Sequence, residues 1–168
     1  MTRVLFFAVL AGAIAVPASA QAPAGPCKSV FDAVLKMTAT PHHAVTSMNG
    51  TTRAESIATD DAMYVKLKGA WMKSPVPLKN TLALQQENIR NTTVASCTPL
   101  PDELVDGKPA VGYQAHYEQK DTGATDAKVW LSKANGMLLR TDVSLQAGQK
   151  TSEVTTFDYD HILAPVVK

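Results

Sequence analysis

The chain has 168 residues, with sixteen basic and fifteen acidic side chains and a formal net charge of +1 at pH 7. This balance argues against a nucleic-acid-binding protein, because phosphate binding requires an excess of basic residues on one face. The length is sufficient for a single domain with a substantial core.

The first twenty residues have the pattern of a cleavable signal peptide. Met1–Arg3 form a short basic start, Val4–Val16 form an apolar run, and Ala18–Ala20 supply the small residues that signal peptidase recognises. The apolar run is shorter than the roughly 20 residues that a membrane-spanning helix needs. We therefore predict cleavage after Ala20, export to the periplasm, and one domain over residues 21–168 that is not integral to the membrane. Because Arg3 is the leader's one charged side chain, the mature chain has no net charge.

The mature chain contains two cysteines, Cys27 and Cys97. In an exported protein, a well-separated pair of cysteines favours a disulfide over a metal site or a catalytic nucleophile. The predicted disulfide would tie the first helix to the middle of the chain.

The first predicted helix runs from Ser29 to about Ala39, with Ser29 as its cap and Pro41 as its stop. Its apolar residues fall on one stripe: Val30, Phe31, Val34 and Leu35. The helix is therefore expected to pack with this stripe against a sheet.

Three strands are predicted next. His42–Met48 and Thr51–Thr59 flank Asn49-Gly50, which is the strongest short sequence signal for a hairpin. A third strand covers Ala62–Lys68, and Gly69–Met72 is predicted as a turn or bulge. The first half of the domain is thus predicted to be a three-stranded meander.

A second helix is predicted over Pro77–Asn91, with a narrow apolar stripe of Leu78, Leu82 and Ile89. A helix with so thin an apolar face gains little from packing, which suits either a plain surface helix or a movable cover. Asn91–Ala110 is predicted to hold a strand with Cys97, a proline-rich loop, and a tight turn at Val105–Lys108.

The stretch from Val111 to Tyr159 predicts four antiparallel strands. The turn segments between them are Asp121–Gly123, Ala134–Gly136 and Ala147–Gln149. Alternation gives one apolar and one polar face: Val111, Tyr113, Ala115 and Tyr117 against Gln114, His116 and Glu118. The apolar face must be covered by helices, by the sheet itself or by a ligand. The last residues, from Ile162 onward, are predicted to follow the sheet edge or to extend freely.

Motifs that would support catalysis or a metal site are missing from the sequence. It has neither a Gly-x-Ser-x-Gly elbow nor a glycine loop for phosphate. Adjacent His42 and His43 point to opposite faces of a strand, and alternation also separates His161 from Asp158 and Asp160. We therefore predict a protein that is not an enzyme and that has no metal and no cofactor.

Four stretches carry a likeness to a known superfamily: Tyr64–Trp71, Val105–Ala110, Lys128–Arg140 and Thr156–Tyr159. In their order, together with the two helices, they resemble the bacterial lipoprotein-carrier superfamily of LolA and LolB, with the mycobacterial lipid-binding lipoproteins as more distant relatives. The likeness covers most of the mature chain.

The resemblance implies an α+β fold in which an open, curved antiparallel half-barrel of about seven to eight strands has helices covering its concave face. In that superfamily the space between sheet and helices holds acyl chains. The resemblance places these residues at such a site, the last two on the covering helix: Val65, Leu67, Tyr113, Tyr117, Val129, Leu131, Leu139, Val143, Leu82 and Ile89.

Two functions remain open at this stage. The first is a periplasmic carrier of an acyl chain, a lipid or the lipid of a lipoprotein. The second is a structural or interaction module that is filled by its own side chains and docks an envelope protein partner. A carrier requires a continuous apolar void of several hundred cubic ångströms, and a packed module does not.

Overall fold

The structure is a computed structural model that describes residues 25–119, 123–146 and 150–167. The predicted signal peptide and its cleavage site after Ala20 lie outside the described residues. So do the turn segment 147–149 and most of the turn at Asp121–Gly123.

Two helices and ten strands make up the described chain. The helices are α1 (Pro26–Thr38) and α2 (Leu78–Arg90). The strands are β1 (His42–Met48), β2 (Thr51–Ala58), β3 (Met63–Leu67), β4 (Ala70–Lys73), β5 (Thr92–Pro99), β6 (Glu103–Val105), β7 (Lys108–Gln119), β8 (Gly123–Ser132), β9 (Leu138–Gln146) and β10 (Lys150–Asp158).

All the strands belong to one curved antiparallel sheet in the order β4-β3-β2-β1-β10-β9-β8-β7-β5, with β6 also paired to β7. The sheet does not close into a barrel, since β4 and β5 end the order at opposite edges. The predicted α+β class with an open curved sheet is confirmed. The number of strands is ten rather than seven or eight, because β4 and β6 form where a turn and a loop were expected.

Tight turns with positive φ explain the hairpins. The predicted turn at Asn49-Gly50 is confirmed, with φ values of 50° and 76°. Lys68 and Gly69 adopt φ values of 51° and 82°, so the chain reverses there and Ala70–Lys73 can pair with β3 as a strand. Turns with positive φ at both central residues match the right-handed twist of the strands that they join. The predicted turn or bulge at Gly69–Met72 is therefore displaced by one residue and shorter than expected, because lysine rarely takes this conformation and Lys68 was assigned to the preceding strand.

The pairing of β1 with β10 joins the two meanders into one sheet, with His43 opposite Asp158 and Met48 opposite Glu153. These strands lie about a hundred residues apart along the chain. The hydroxyls of Thr46 and Thr155, which are 109 positions apart, form a hydrogen bond between them. Because β1 and β10 pair, neither of them is an edge strand, and the N-terminal and C-terminal halves share one continuous sheet.

Helix α1 begins three residues earlier than predicted. Pro26 occupies the first turn, and Ser29 lies inside the helix and does not cap it. Proline suits this place because its fixed φ is already helical and its missing N–H would have no partner there. The predicted disulfide between Cys27 and Cys97 is confirmed and links α1 to the edge strand β5.

The interior has two buried clusters on opposite faces of the sheet. The larger lies between α1 and the face that we call concave, and it contains Val30, Ala33, Ala115, Ala127, Val129, Leu131 and Leu138. The smaller lies on the other, convex face and contains Val105, Ala110, Trp130 and Leu139. The guanidinium of Arg140 covers the Trp130 ring at 4.9 Å from its centroid.

Helix α2 packs chiefly on α1. It spans Leu78–Arg90, and the predicted end residues Pro77 and Asn91 are its caps. In the part of the chain that the structure describes, no helix is both long and apolar enough to cross a membrane.

Candidate ligand-binding cavity

A cavity of about 330 Å³ lies between the two helices and the concave face of the sheet. Helix α1 forms one wall, the second half of α2 forms another, and strands β7 to β10 form the floor. Its lining residues are Val30, Phe31, Val34, Met37, Gln85, Asn88, Ile89, Tyr117, Gln119, Thr125, Ala127, Val129, Leu138, Thr141, Val143 and Phe157. None of these side chains carries a formal charge.

The cavity changes character along its length. Its inner end is well buried and largely apolar, since Leu138 is 1% exposed and Val129 is 3% exposed, with Thr141 paired to Val129 as a polar neighbour. Its other end is polar and partly open to solvent, where Gln85, Asn88 and Gln119 are partly exposed. The cavity therefore has a polar mouth that is partly exposed to solvent and an inner end that is shielded from solvent.

At the mouth of the cavity, hydrogen bonds join the end of α2 to the sheet. The Gln119 side chain donates from Nε2 to the carbonyl oxygen of Asn88 at 3.2 Å, and Thr92 Oγ1 donates to the same oxygen at 3.1 Å. These bonds connect the C-terminal end of α2 to β7 and to the start of β5. They fix the position of the helix end that lines the cavity.

Tyr117 and Phe31 form the side of the cavity next to its mouth. Their rings meet edge to face, with centroids 6.3 Å apart and planes at 64°. Burial raises the pKa of the Tyr117 phenol, so this group is neutral at physiological pH. The aromatic pair therefore adds apolar surface to the cavity and no charge.

At the inner end, Phe157 packs against His42, with ring centroids 6.1 Å apart. His42 is 6% exposed, and its Nδ1 donates to the carbonyl oxygen of Thr40 at 2.8 Å. Burial lowers the pKa of His42, although the carbonyls of Thr40 and Met37 act in the opposite direction. The base of the cavity thus rests on a neutral imidazole.

Four of the ten residues named from the sequence line the cavity: Tyr117, Val129, Val143 and Ile89. Tyr113 packs against the cluster beneath α1 and Leu131 belongs to that cluster, but neither lines the cavity wall. Leu82 lies on α2 and is partly buried, also away from the wall.

Val65 and Leu67 lie far from the cavity. The register runs from Phe157 through Ala44 and Ser56 to Val65, so Val65 shares the concave face. It lies three strands away from Phe157, or about 14 Å at the usual strand spacing. Leu67 is 51% exposed near the β3–β4 turn.

Leu139 lies on the convex face, in the cluster with Trp130, rather than on the predicted concave face. A bulge explains this placement, because the β8–β9 register shifts between Trp130 and Leu131. Leu131 therefore pairs with Leu138, and it is Leu138 that reaches the cavity. A bulge inserts an extra residue and so interrupts the alternation on which the prediction relied.

Sequence reasoning missed most of the helix contribution to the wall. Val30, Phe31 and Val34 were recognised as the apolar stripe of the first helix, which could have identified them as a wall. The polar mouth residues Gln85 and Asn88 gave no signal, because amides on an exposed helix are common.

Polar and charged side chains away from the cavity pair with one another. His116 Nδ1 lies 2.8 Å from Asp126 Oδ1 on the polar face of β7, as the strand alternation predicted. Lys108 Nζ lies 3.2 Å from Asp158 and 3.3 Å from Asp160, so a lysine occupies the place where a cation was considered. Across residues 25–119, 123–146 and 150–167, three or more His, Cys, Asp or Glu side chains nowhere cluster in a way that could hold a metal ion.

We expect acid to destabilise the protein through His42. Its pKa in the fold lies below the value of 6.5 for a free histidine, so the unfolded chain takes up a proton more readily. Its contribution is complete above about pH 6.5 and is lost as the pH falls, by at most about 1.4 kcal/mol per pH unit. Urea unfolding at pH 7.5 and pH 5.5 should show this loss in the wild-type protein and a smaller loss in His42→Asn, which keeps a donor near Thr40.

His116→Asn is the matched control, because His116 is expected to affect the pH dependence of stability in the opposite direction to His42. The hydrogen bond to Asp126 raises the pKa of His116, so its stabilising effect is complete below pH 6.5 and is lost as the pH rises. Its removal should make the protein more sensitive to acid. An unchanged pH dependence in His42→Asn would contradict the assignment to His42.

No protein-family model matches this sequence, and no curated protein is significantly similar to it. Among solved structures, the chain is similar to the lipoprotein LppX of Mycobacterium tuberculosis, at 12% identity and a TM-score of 0.48, over 80% of this chain and 95% of that one. It is similar to MucB at 16% identity and a TM-score of 0.38, over 79% of this chain and 60% of MucB. It is also similar to a LolA superfamily protein of Nitrosomonas europaea at 9% identity and a TM-score of 0.31, over 80% of this chain and 92% of that one.

Proposed function

We propose that this protein is a non-enzymatic periplasmic carrier that binds one hydrophobic chain of a lipid or lipoprotein in the cavity between its helices and its sheet. The observation that carries the proposal is the buried, largely apolar inner end of a cavity of about 330 Å³. Ligand pockets usually measure roughly 300–1,000 Å³, so the volume suits a single chain better than several.

The energetics favour such an occupant. An acyl chain gains roughly 0.8 kcal/mol for each methylene group that leaves water. The inner wall offers it aliphatic and aromatic surface from Val129, Leu138 and Phe157. A chain of moderate length therefore gains enough to offset its loss of freedom on binding.

The cavity also supports one of the two functions that the sequence left open. Protein interiors are close-packed, and voids larger than a water molecule are few. A module whose sheet is filled by its own side chains would have no space of this size next to its main core cluster. The cavity therefore supports the carrier over the packed interaction module.

Helix α2 is the part of the wall best suited to move aside for entry. It rests chiefly on α1, and Leu84 on its outer surface is 58% exposed. Its polar contacts with the sheet lie at its C-terminal end, through the carbonyl of Asn88. Opening the cavity would require displacement of the second half of α2, which lines it, and loss of the hydrogen bonds to the Asn88 carbonyl, but not a break in the core cluster beneath α1.

The disulfide supports the location. Disulfides persist in oxidising compartments and are rare in the cytoplasm. The bond between Cys27 and Cys97 therefore suits a protein that folds outside the cytoplasm, and we place the carrier in the periplasm.

Val143→Phe is expected to abolish lipid binding by filling the middle of the cavity. Native mass spectrometry of protein purified gently from a bacterial periplasm should show co-purified lipid on the wild-type chain and none on this variant. Ser144→Phe adds the same ring to the adjacent, exposed position of β9 and should retain the lipid. A wild-type protein that has no lipid, and takes up none when long-chain lipids are supplied, would refute the carrier function.

A further inference from the structure

The mouth of the cavity carries uncharged polar groups. Gln85 and Asn88 of α2, Gln119 of β7 and Thr125 of β8 line this end, while the inner end is largely apolar, with Thr141 as a polar neighbour of Val129. The amides can donate and accept hydrogen bonds, and the hydroxyl can do both as well. Within the described residues, the Gln85 side-chain amide makes no hydrogen bond to another part of the protein.

The charged side chains of α2 and β7 that the structure describes do not line the cavity. Glu87 and Arg90 of α2 are exposed, and Glu118 of β7 lies between Tyr117 and Gln119 and so alternates to the other face. Among the described residues that line the cavity, none could form an ion pair with a bound ligand. An ionised head group at the mouth would lose water without gaining a counter-charge.

We infer that the cavity selects single-chain amphiphiles with an uncharged polar head, such as an ester, an amide or an alcohol, and discriminates against free fatty acids. The head lies between the Gln85 and Asn88 side chains, and the chain runs inward toward Leu138. This inference rests on the proposed function, because it concerns the ligand of the same cavity.

The physical reason is the difference in desolvation. An ester or a hydroxyl exchanges its bonds with water for bonds with the amides and loses little. A carboxylate that is removed from water without a cation pays a large penalty, or must take up a proton to bind. At pH 8 a carboxyl group with an ordinary pKa near 4.3 is ionised, so it pays this penalty for as much of its water as the partly open mouth removes.

The test compares three ligands with the same chain of twelve carbons: laurate, methyl laurate and monolaurin. Each displaces the uncharged fluorescent probe N-phenylnaphthylamine from the mature, disulfide-bonded protein at pH 8. We expect methyl laurate and monolaurin to bind at least about tenfold more tightly than laurate.

The variant Gln85→Lys places an ammonium group at the mouth. We expect it to strengthen laurate binding severalfold and to weaken methyl laurate binding, because the amide that meets the ester is lost, so the preference for the neutral ligand should shrink or reverse. Gln86→Lys is the matched control, because it adds the same charge at the next, exposed position of α2. It should leave the preference of the wild-type protein unchanged.

The outcomes separate the inference from the function on which it rests. Laurate binding as tight as that of methyl laurate would overturn the selection of neutral heads while leaving the carrier function in place. An unchanged preference in Gln85→Lys, or the same change in Gln86→Lys, would overturn the position of the head. If none of the three ligands binds, the carrier function itself fails.

Discussion

A variant in which Cys27 and Cys97 are both replaced by alanine is expected to have a free energy of unfolding about 4 kcal/mol lower than that of the wild-type protein. The disulfide joins residues that are 70 positions apart. A cross-link over so long a loop removes many conformations of the unfolded chain, which is the main source of its stabilising effect in the chain-entropy model. For a domain of this size the melting temperature should fall by about 10 °C.

The position of the disulfide adds to this effect. Cys27 is 4% exposed in the first turn of α1, and Cys97 lies on β5, an edge strand that pairs with β7. The bond thus fastens a wall of the cavity to one edge of the sheet. Alanine is preferred to serine in the variant because it introduces no hydroxyl into a buried site.

Urea unfolding of the wild-type protein and the double variant, each with and without reductant, measures the effect. Reductant should lower the stability of the wild-type protein toward that of the double variant and leave the variant unchanged. A double variant as stable as the oxidised wild-type protein would show that the disulfide does not support the fold.

Leu138→Ala is expected to lower the free energy of unfolding of the ligand-free protein by about 3 kcal/mol. Leu138 is 1% exposed and belongs to the cluster between α1 and the sheet. Shortening its side chain removes buried apolar surface and leaves a void that the surrounding strands fill only in part.

The same change should alter the ligand preference, because Leu138 lines the inner end of the cavity. The enlarged base should accept a chain about three carbons longer than the wild-type protein prefers. Binding a longer ligand should in turn restore part of the lost stability, since a ligand that binds the folded state stabilises it.

Thermal unfolding and probe displacement with neutral esters of increasing chain length measure both effects. Leu163→Ala is the matched control, because Leu163 is 78% exposed and should tolerate the change without effect. A Leu138→Ala protein that is destabilised but keeps the wild-type preference for chain length would show that the chain does not reach this residue.

The sequence determined those features that depend on neighbouring residues. Asn49-Gly50 defined the first hairpin, alternation from Val111 to Tyr117 defined the two faces of β7, and the well-separated pair of cysteines behind a predicted signal peptide predicted the disulfide. Each of these follows from turn geometry, from the period of two along a strand or from the chemistry of the compartment. Together they were enough for an α+β protein with a one-sided antiparallel sheet.

Only the tertiary structure decided which side chains meet at the cavity. Because of the bulge near Trp130, Leu138 lines the inner end of the cavity in place of the predicted Leu139. The pairing of β1 with β10 brought Phe157 beside His42. The seating of α1 on the sheet made its apolar stripe a wall. Bulges, long-range pairing and helix seating are set by contacts between residues far apart in the chain, so the local alternation that reveals a strand cannot reveal which strands and helices enclose a space.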